Sequence, residues 1–164
     1  MLGRLLTVVV LGLVLVLVVF LASGNGPTFQ GLKTDIPFAQ TACAPTPCAA
    51  PQGFEADVSN VQAGPDLVTL DVTLRNKSAG TFEAVSYRHT SPVDFQLNGT
   101  DGVDRAPLFN TDCPDWGDVR VDRNATAGPL RLCFQPPRDG LEGAVLLWSP
   151  DVGLFSHRVS IPLA

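Results

Sequence analysis

The chain has 164 residues, of which 11 are basic and 16 acidic, and its formal charge is -5 at pH 7. Proteins that bind nucleic acid through its phosphates are typically basic, so this balance disfavours a nucleic-acid partner. Because domains typically cover about 100 to 150 residues, the length leaves room for one domain and excludes two of ordinary size.

The N-terminal segment, residues 1–24, is dominated by an apolar run. Its residues 5–22 carry no charge, and Arg4 precedes them. A basic residue before such a run is typical of a signal anchor or signal peptide, which places the remaining chain outside the cytoplasm. Eighteen helical residues extend about 27 Å, close to the thickness of the hydrocarbon core. Two alternatives stay open: a single-pass transmembrane helix that anchors the protein, or cleavage near Gly24 and secretion.

Residues 25–52 have the composition of a linker. The prolines in this stretch are Pro27, Pro37, Pro45, Pro47 and Pro51. Proline-rich chain is extended and stiff, which predicts a spacer between the membrane-directed segment and a domain over residues 53–164. Cys43 and Cys48 lie within this spacer and are close enough in sequence to close a small disulfide loop.

The region 53–164 is predicted to be all-β. Alternation of apolar and polar side chains, the pattern of a half-buried strand, occurs over residues 68–75, 93–98, 130–135 and 155–161. Weaker strand patterns occur over residues 54–61, 82–89 and 144–148. Glycine and proline interrupt every candidate helix. About seven short strands, with turn residues roughly every ten positions, indicate an immunoglobulin-like β-sandwich.

Three stretches carry a family resemblance: residues 70–78 (LDVTLRNKS), 92–102 (PVDFQLNGTDG) and 127–137 (AGPLRLCFQPP). In this order they resemble a family of bacterial extracytoplasmic immunoglobulin-like domains of unknown function, which includes the small secreted immunogenic protein of mycobacteria. The resemblance covers roughly Ala56 to Leu163. It implies a surface or secreted module that brings no catalytic residues. Many members are lipoproteins, but this chain has no cysteine before Cys43 to carry the lipid.

Four cysteines in an exported chain indicate two disulfides, for which three connectivities exist. We favour Cys43 with Cys48 and Cys113 with Cys133. The second bridge would enclose about twenty residues and contribute about 3 kcal/mol of stability. Because Cys133 shares the polar phase of its strand with Arg131, we expect its sulfur to face away from the core. The cysteines lack the short spacing of the ligand pairs in zinc sites, so no metal site is predicted there.

The acidic segment 101–122 is the predicted functional edge of the domain. Within it, the proposed binding loop consists of Asp112, Asp115, Trp116 and Asp118. An exposed tryptophan is a common anchor residue of protein interfaces. The alternative is that Trp116 covers the end of the sandwich beside the disulfide. Calcium is the metal that such carboxylates would bind, but their spacing matches no known calcium loop, so we expect a solvated acidic loop.

The two histidines, His89 and His157, lie near serines at positions 86, 91 and 156. No nucleophile elbow or phosphate loop accompanies them, so we predict no catalytic triad and no cofactor. The resulting hypothesis is a non-enzymatic cell-envelope module, membrane-tethered or secreted, that binds a protein or cell-wall partner. An alternative hypothesis, based on the acidic segment and the histidines, is a small extracytoplasmic protein that binds a metal or small ligand.

Overall fold

The computed structural model describes residues 2–22, 41–43, 47–50, 53–77, 87–150 and 158–163. Within these ranges a helix, α1 (Leu2–Ala22), precedes eleven strands. The strands are β1 (Thr41–Ala42), β2 (Cys48–Ala50), β3 (Phe54–Ala63), β4 (Val68–Asn76), β5 (Tyr87–Thr90), β6 (Phe95–Asn98), β7 (Asp104–Arg105), β8 (Val119–Asp122), β9 (Thr126–Phe134), β10 (Val145–Trp148) and β11 (Val159–Pro162).

Helix α1 is the first described element in chain order. Its side chains are described at positions 7–18, where each is exposed, and none of them belongs to the core. Over the described ranges, no helix combines the length and the apolar character that a membrane span requires.

The strands form two larger sheets and a two-stranded ribbon. Sheet I has the order β1-β11-β10-β6-β7, sheet II has the order β2-β3-β4-β9, and the ribbon consists of β5 and β8. All neighbours are antiparallel except β1 and β11, which run parallel. The prediction of an all-β domain is therefore confirmed.

One hydrophobic core joins the inner faces of the two sheets. At its centre the buried Trp148 of sheet I stacks on Phe95 of the same sheet, with ring centroids 5.9 Å apart. The same indole contacts the ring of Phe54 in sheet II edge-on at 5.0 Å. A large apolar side chain buried in this way contributes about 1.5 to 3 kcal/mol. The core thus depends on residues from both sheets rather than on either sheet alone.

Strand β4 is the strand that the sequence predicts best. The side chains of Val68, Leu70, Val72 and Leu74 are fully buried, as the alternation requires. The prediction over 93–98 is right only for β6, because Pro92–Asp94 forms a 3₁₀ turn and Val93 is 67% exposed. The reason is the Asp94 carboxylate, which accepts a hydrogen bond from the Ser91 N–H at 2.7 Å and so closes a turn before the strand.

The predicted linker is wrong at two places, because β1 and β2 belong to the sheets. Strand β1 pairs with β11, and the Cys43 N–H that follows it donates to the Ser160 carbonyl at 2.9 Å. Strand β2 pairs with β3. These strands are two and three residues long, too short to show an alternation, and they are held by backbone hydrogen bonds that no side-chain pattern reveals.

Both predicted disulfides are present, Cys43 with Cys48 and Cys113 with Cys133. The first joins the ends of β1 and β2 and so connects an edge of sheet I to an edge of sheet II. Cys133 is 1% exposed but lies outside the core cluster, in agreement with a sulfur that faces away from the core. The predicted strand residues 82–86 and 155–157 lie outside the described residues.

Candidate functional site

Residues 107–118, which we call the strap, run along the free edge of β9, the last strand of sheet II. The Leu108 N–H donates to the Cys133 carbonyl at 2.8 Å. The Trp116 Nε1–H donates to the Arg131 carbonyl at 3.2 Å. The disulfide between Cys113 and Cys133 ties the middle of the strap to the same strand. The strap, which is part of the predicted functional segment 101–122, therefore covers the edge of β9.

Trp116 is half-buried and packs against the core. Its ring meets Phe95 edge-on, with 6.3 Å between centroids. Of the two alternatives that the sequence leaves for Trp116, the structure places it as a covering residue beside the disulfide. Because its indole N–H is used by the Arg131 carbonyl, the residue is a structural clamp of the strap.

The three aspartates of the proposed binding loop serve separate local contacts. The Asn110 side-chain oxygen accepts the Asp112 N–H at 2.9 Å, and an Asp115 oxygen accepts the Gly117 N–H at 2.8 Å. Asp118 points instead to the ribbon. Within the described parts of the chain, no three histidine, cysteine, aspartate or glutamate side chains come together in a way that would hold a metal ion.

The ribbon carries a polar network on its outer side. His89 Nδ1 lies 2.8 Å from an Asp118 carboxylate oxygen, so the two side chains are hydrogen-bond partners. The Arg120 guanidinium lies 4.1 Å above the Tyr87 ring, and its Nε donates to Asp122 at 2.8 Å. These contacts join side chains of β5, β8 and the end of the strap to one another.

A Ser-His-Asp triad is not assembled among the described residues. The Ser91 hydroxyl donates to Asp94 at 3.2 Å rather than to a histidine. His157 and the serines at positions 86 and 156 lie outside the described residues.

A surface groove of about 640 Å³ lies at the opposite end of the acidic segment, lined by residues from 101–108 and 135–138. We call it the groove. A guanidinium-carboxylate pair forms part of its wall: Arg105 donates from Nη1 to one oxygen of Asp101 at 3.1 Å and from Nη2 to the other. These hydrogen bonds lower the pKa of Asp101 to about 2, so its carboxylate stays ionised at neutral pH.

Exposed apolar side chains collect beside the groove. Outside α1, the large hydrophobic residues that are exposed in the described chain are Val93, Val103, Leu108 and Phe109. Val103 and Leu108 line the groove, and Phe109 follows directly in the chain. Single exposed hydrophobic residues are ordinary, whereas a cluster of them marks an interaction surface.

The charges of the groove are largely matched. Arg105 is paired with Asp101, and an Asp104 oxygen accepts from the Asn98 amide at 2.5 Å. The Arg138 side chain also lines the groove, and among the described residues no carboxylate lies within ion-pair distance of it. The groove therefore combines an apolar wall with one available guanidinium.

The sequence analysis missed Val103, Leu108 and Arg138. It placed the binding residues at 112–118, where aspartates surround a tryptophan, whereas the groove lies ten residues earlier in the same acidic segment. A signal was present: residues 106–109 read Ala-Pro-Leu-Phe, an apolar run directly after a charged pair, without the alternation of a buried strand.

No protein-family model matches the chain, and no curated protein matches it either. Among solved structures, the crystal structure of the yjhA protein from Bacillus subtilis is similar, with a TM-score of 0.50 and 12% sequence identity. The likeness covers 74% of this chain and 98% of the other. At this identity it shows a shared fold and nothing about activity.

Proposed function

We propose that this protein is a non-enzymatic extracytoplasmic module with an immunoglobulin-like sandwich, and that it binds a protein or cell-wall partner through the groove. The observation that carries the proposal is the cluster of exposed apolar side chains at Val103, Leu108 and Phe109 beside the groove. Soluble domains rarely leave such a cluster uncovered unless a partner covers it.

Location outside the cytoplasm is supported by the cysteines and by the N-terminal segment. All described cysteines are paired in two disulfides, and disulfides of this kind persist in oxidising compartments. The apolar residues 5–22, which follow Arg4, have the composition of an export signal, whether that signal is retained or is cleaved near Gly24. The resemblance to extracytoplasmic immunoglobulin-like domains points in the same direction.

A binding role suits the chemistry of the groove better than a catalytic one. A general acid or base works best when its pKa is close to the ambient pH. The carboxylates in the described chain whose pKa is clearly shifted are Asp71 and Asp101, and in both the pKa is lowered, by hydrogen bonds from Asn60 and Arg105 respectively. Such groups remain ionised and serve as structural anchors.

Site-specific photocrosslinking tests this proposal in the cells that produce the protein. A photoreactive side chain is introduced at position 103 or 108 of the full chain, and in a matched control at position 93, where a valine is also exposed. We expect a discrete crosslinked adduct from the two groove positions and none from position 93. The adduct should weaken when Arg138→Glu is added. Equal labelling at all three positions, or none at any, would contradict the proposal.

A further inference from the structure

The edge strands of the two sheets differ greatly in length. Sheet I ends in β1 and β7, with two residues each, and sheet II ends in β2, with three residues, and in β9, with nine. An edge strand exposes backbone N–H and C=O groups that can pair with another chain, and a long edge is the greater hazard. Among the described strands, β9 is therefore the edge that most needs protection.

The N-terminal half of β9 contains two features that hinder pairing with another strand. Pro129 has no N–H to offer a neighbouring strand. The register with β4 also shifts between Val72 and Leu74, which marks an irregularity opposite this half of β9. Irregular pairing and proline are two of the devices that natural sheets use to blunt an edge.

The C-terminal half, Leu130–Phe134, has neither device. It pairs in regular register with Val68–Val72 of β4 and contains Leu130, Leu132 and Phe134. A short apolar segment of strand with regular pairing is the kind of edge on which a second chain adds. Its one charged residue is Arg131, whose guanidinium is held by the Asp71 carboxylate at 3.1 Å.

The strap occupies this half of the edge as a neighbouring strand would. The carbonyls that it satisfies belong to Arg131 and Cys133. These residues are two positions apart, the spacing at which backbone groups of one strand point to the same neighbour. The donors are the Leu108 N–H and the Trp116 indole.

The disulfide between Cys113 and Cys133 is the covalent latch of this cover. Without it, the strap is held to β9 by the hydrogen bonds of the Leu108 N–H and the Trp116 indole and by the half-buried Trp116 ring, and to the ribbon by the contact of Asp118 with His89. Cys113 and Cys133 lie 20 positions apart in the sequence. The disulfide removes chain entropy because it closes this loop. Breaking the bond restores that entropy and should raise the fraction of molecules with a detached strap roughly a hundredfold.

We propose that the strap is a redox-latched cover, and that opening the Cys113–Cys133 disulfide exposes the C-terminal half of β9 as a pairing surface for the β9 edge of a second copy of this chain. A dithiol reductant transfers two electrons to the disulfide, which yields the two cysteine thiols, and the reductant itself becomes a disulfide. Two β9 edges pair antiparallel about a two-fold axis, because each edge then meets an identical one.

The test compares two double variants of the full chain, solubilised in one mild detergent. Cys113→Ser with Cys133→Ser removes the latch, and Cys43→Ser with Cys48→Ser removes the other disulfide while the strap stays tied. Light scattering after size exclusion, at rising protein concentration, is expected to show a dimer for the first variant. The second variant and the oxidised wild type should remain monomeric over the same range.

A third variant asks whether the dimer uses the β9 edge. Cys113→Ser with Cys133→Pro also lacks the latch, but its proline removes an edge-directed N–H, so it should stay monomeric. A folded Cys113→Ser, Cys133→Ser protein that remains monomeric at the highest concentration would overturn the proposal, as would a dimer that persists with Cys133→Pro. Should the double-serine variant lose its circular dichroism spectrum, the Cys43→Ser, Cys48→Ser variant treated with a dithiol reductant decides instead, since the Cys113–Cys133 bond is then the one disulfide left to open. A concentration-dependent dimer on reduction supports the proposal, and a folded monomer overturns it.

Discussion

A buried hydrogen-bond network around Asp94 offers the sharpest stability prediction. Asp94 is 7% exposed, and its Oδ2 accepts from the Ser91 N–H at 2.7 Å and from the Thr90 hydroxyl at 3.1 Å. The Thr90 oxygen in turn accepts the Trp148 indole N–H at 3.3 Å. One carboxylate thus connects the turn before β6 to the central tryptophan of the core.

We expect Asp94→Ala to lower the free energy of unfolding by about 2 to 4 kcal/mol, because each buried donor left without an acceptor costs about 1 to 3 kcal/mol. The Thr90 hydroxyl is 1% exposed, so water does not readily replace the lost acceptor. Asp94→Asn keeps one acceptor oxygen and should lose about half as much.

Urea unfolding followed by circular dichroism gives the free energy of unfolding for each variant. Asp139→Ala is the matched control, since Asp139 is exposed and is expected to change stability by less than about 0.5 kcal/mol. A double-mutant cycle with Thr90→Val should show coupling between Asp94 and Thr90. If Asp94→Ala lowers the free energy of unfolding by less than about 1 kcal/mol, the buried donors around Asp94 do not depend on its carboxylate.

Three further predictions concern other parts of the domain. Removing the Cys113–Cys133 disulfide, with a sequence separation of 20, should cost about 3 kcal/mol in urea unfolding at low protein concentration, against about 2 kcal/mol for Cys43–Cys48, with a separation of 5. Asp71→Asn should cost about 1 kcal/mol at pH 7. The hydrogen bond from Asn60 lowers the pKa of Asp71 in the folded protein below its ordinary value of 3.8. The stability difference between wild type and Asp71→Asn is therefore fully present above this pH and should disappear as the pH falls further, which a pH series of melting curves would show. Gly128→Ala places a Cβ 2.7 Å from the Val72 carbonyl oxygen at a φ of +117° and should cost about 2 kcal/mol or more by thermal unfolding, whereas Gly102→Ala, also at positive φ but in open space, should cost about 1 kcal/mol.

The sequence predicts the central strands well because their side chains decide their position. From Val68 to Leu74 of β4 every second residue is apolar and buried, so alternation alone identifies the strand and its inner face. The same alternation fails at Val93, where the local hydrogen bonds of Asp94 prevail over hydrophobicity. The pairing of the cysteines was also predictable, since the short spacing of Cys43 and Cys48 favours a local loop and leaves Cys113 and Cys133 for each other.

Backbone pairing and tertiary context explain what the sequence does not predict. Strands β1 and β2 exist because β11 and β3 offer them free edges, which no local pattern of Thr41–Ala42 or Cys48–Ala50 reveals. Arg88 is 1% exposed in β5, and burial lowers its pKa, although a charged residue at this position would ordinarily be expected at the surface. The groove depends on the close approach of 101–108 and 135–138, which only the fold brings about.

The measurement that tests the central claim most directly is the intact mass of the native protein from the cytosolic, membrane and extracellular fractions of its own cells, taken with and without a reductant. The account predicts that the protein is found outside the cytosol, and that its mass rises by four hydrogens on reduction because all 4 cysteines are paired. The same spectrum shows whether the chain is cut near Gly24. A protein that remains in the cytosol with four free thiols would contradict the account.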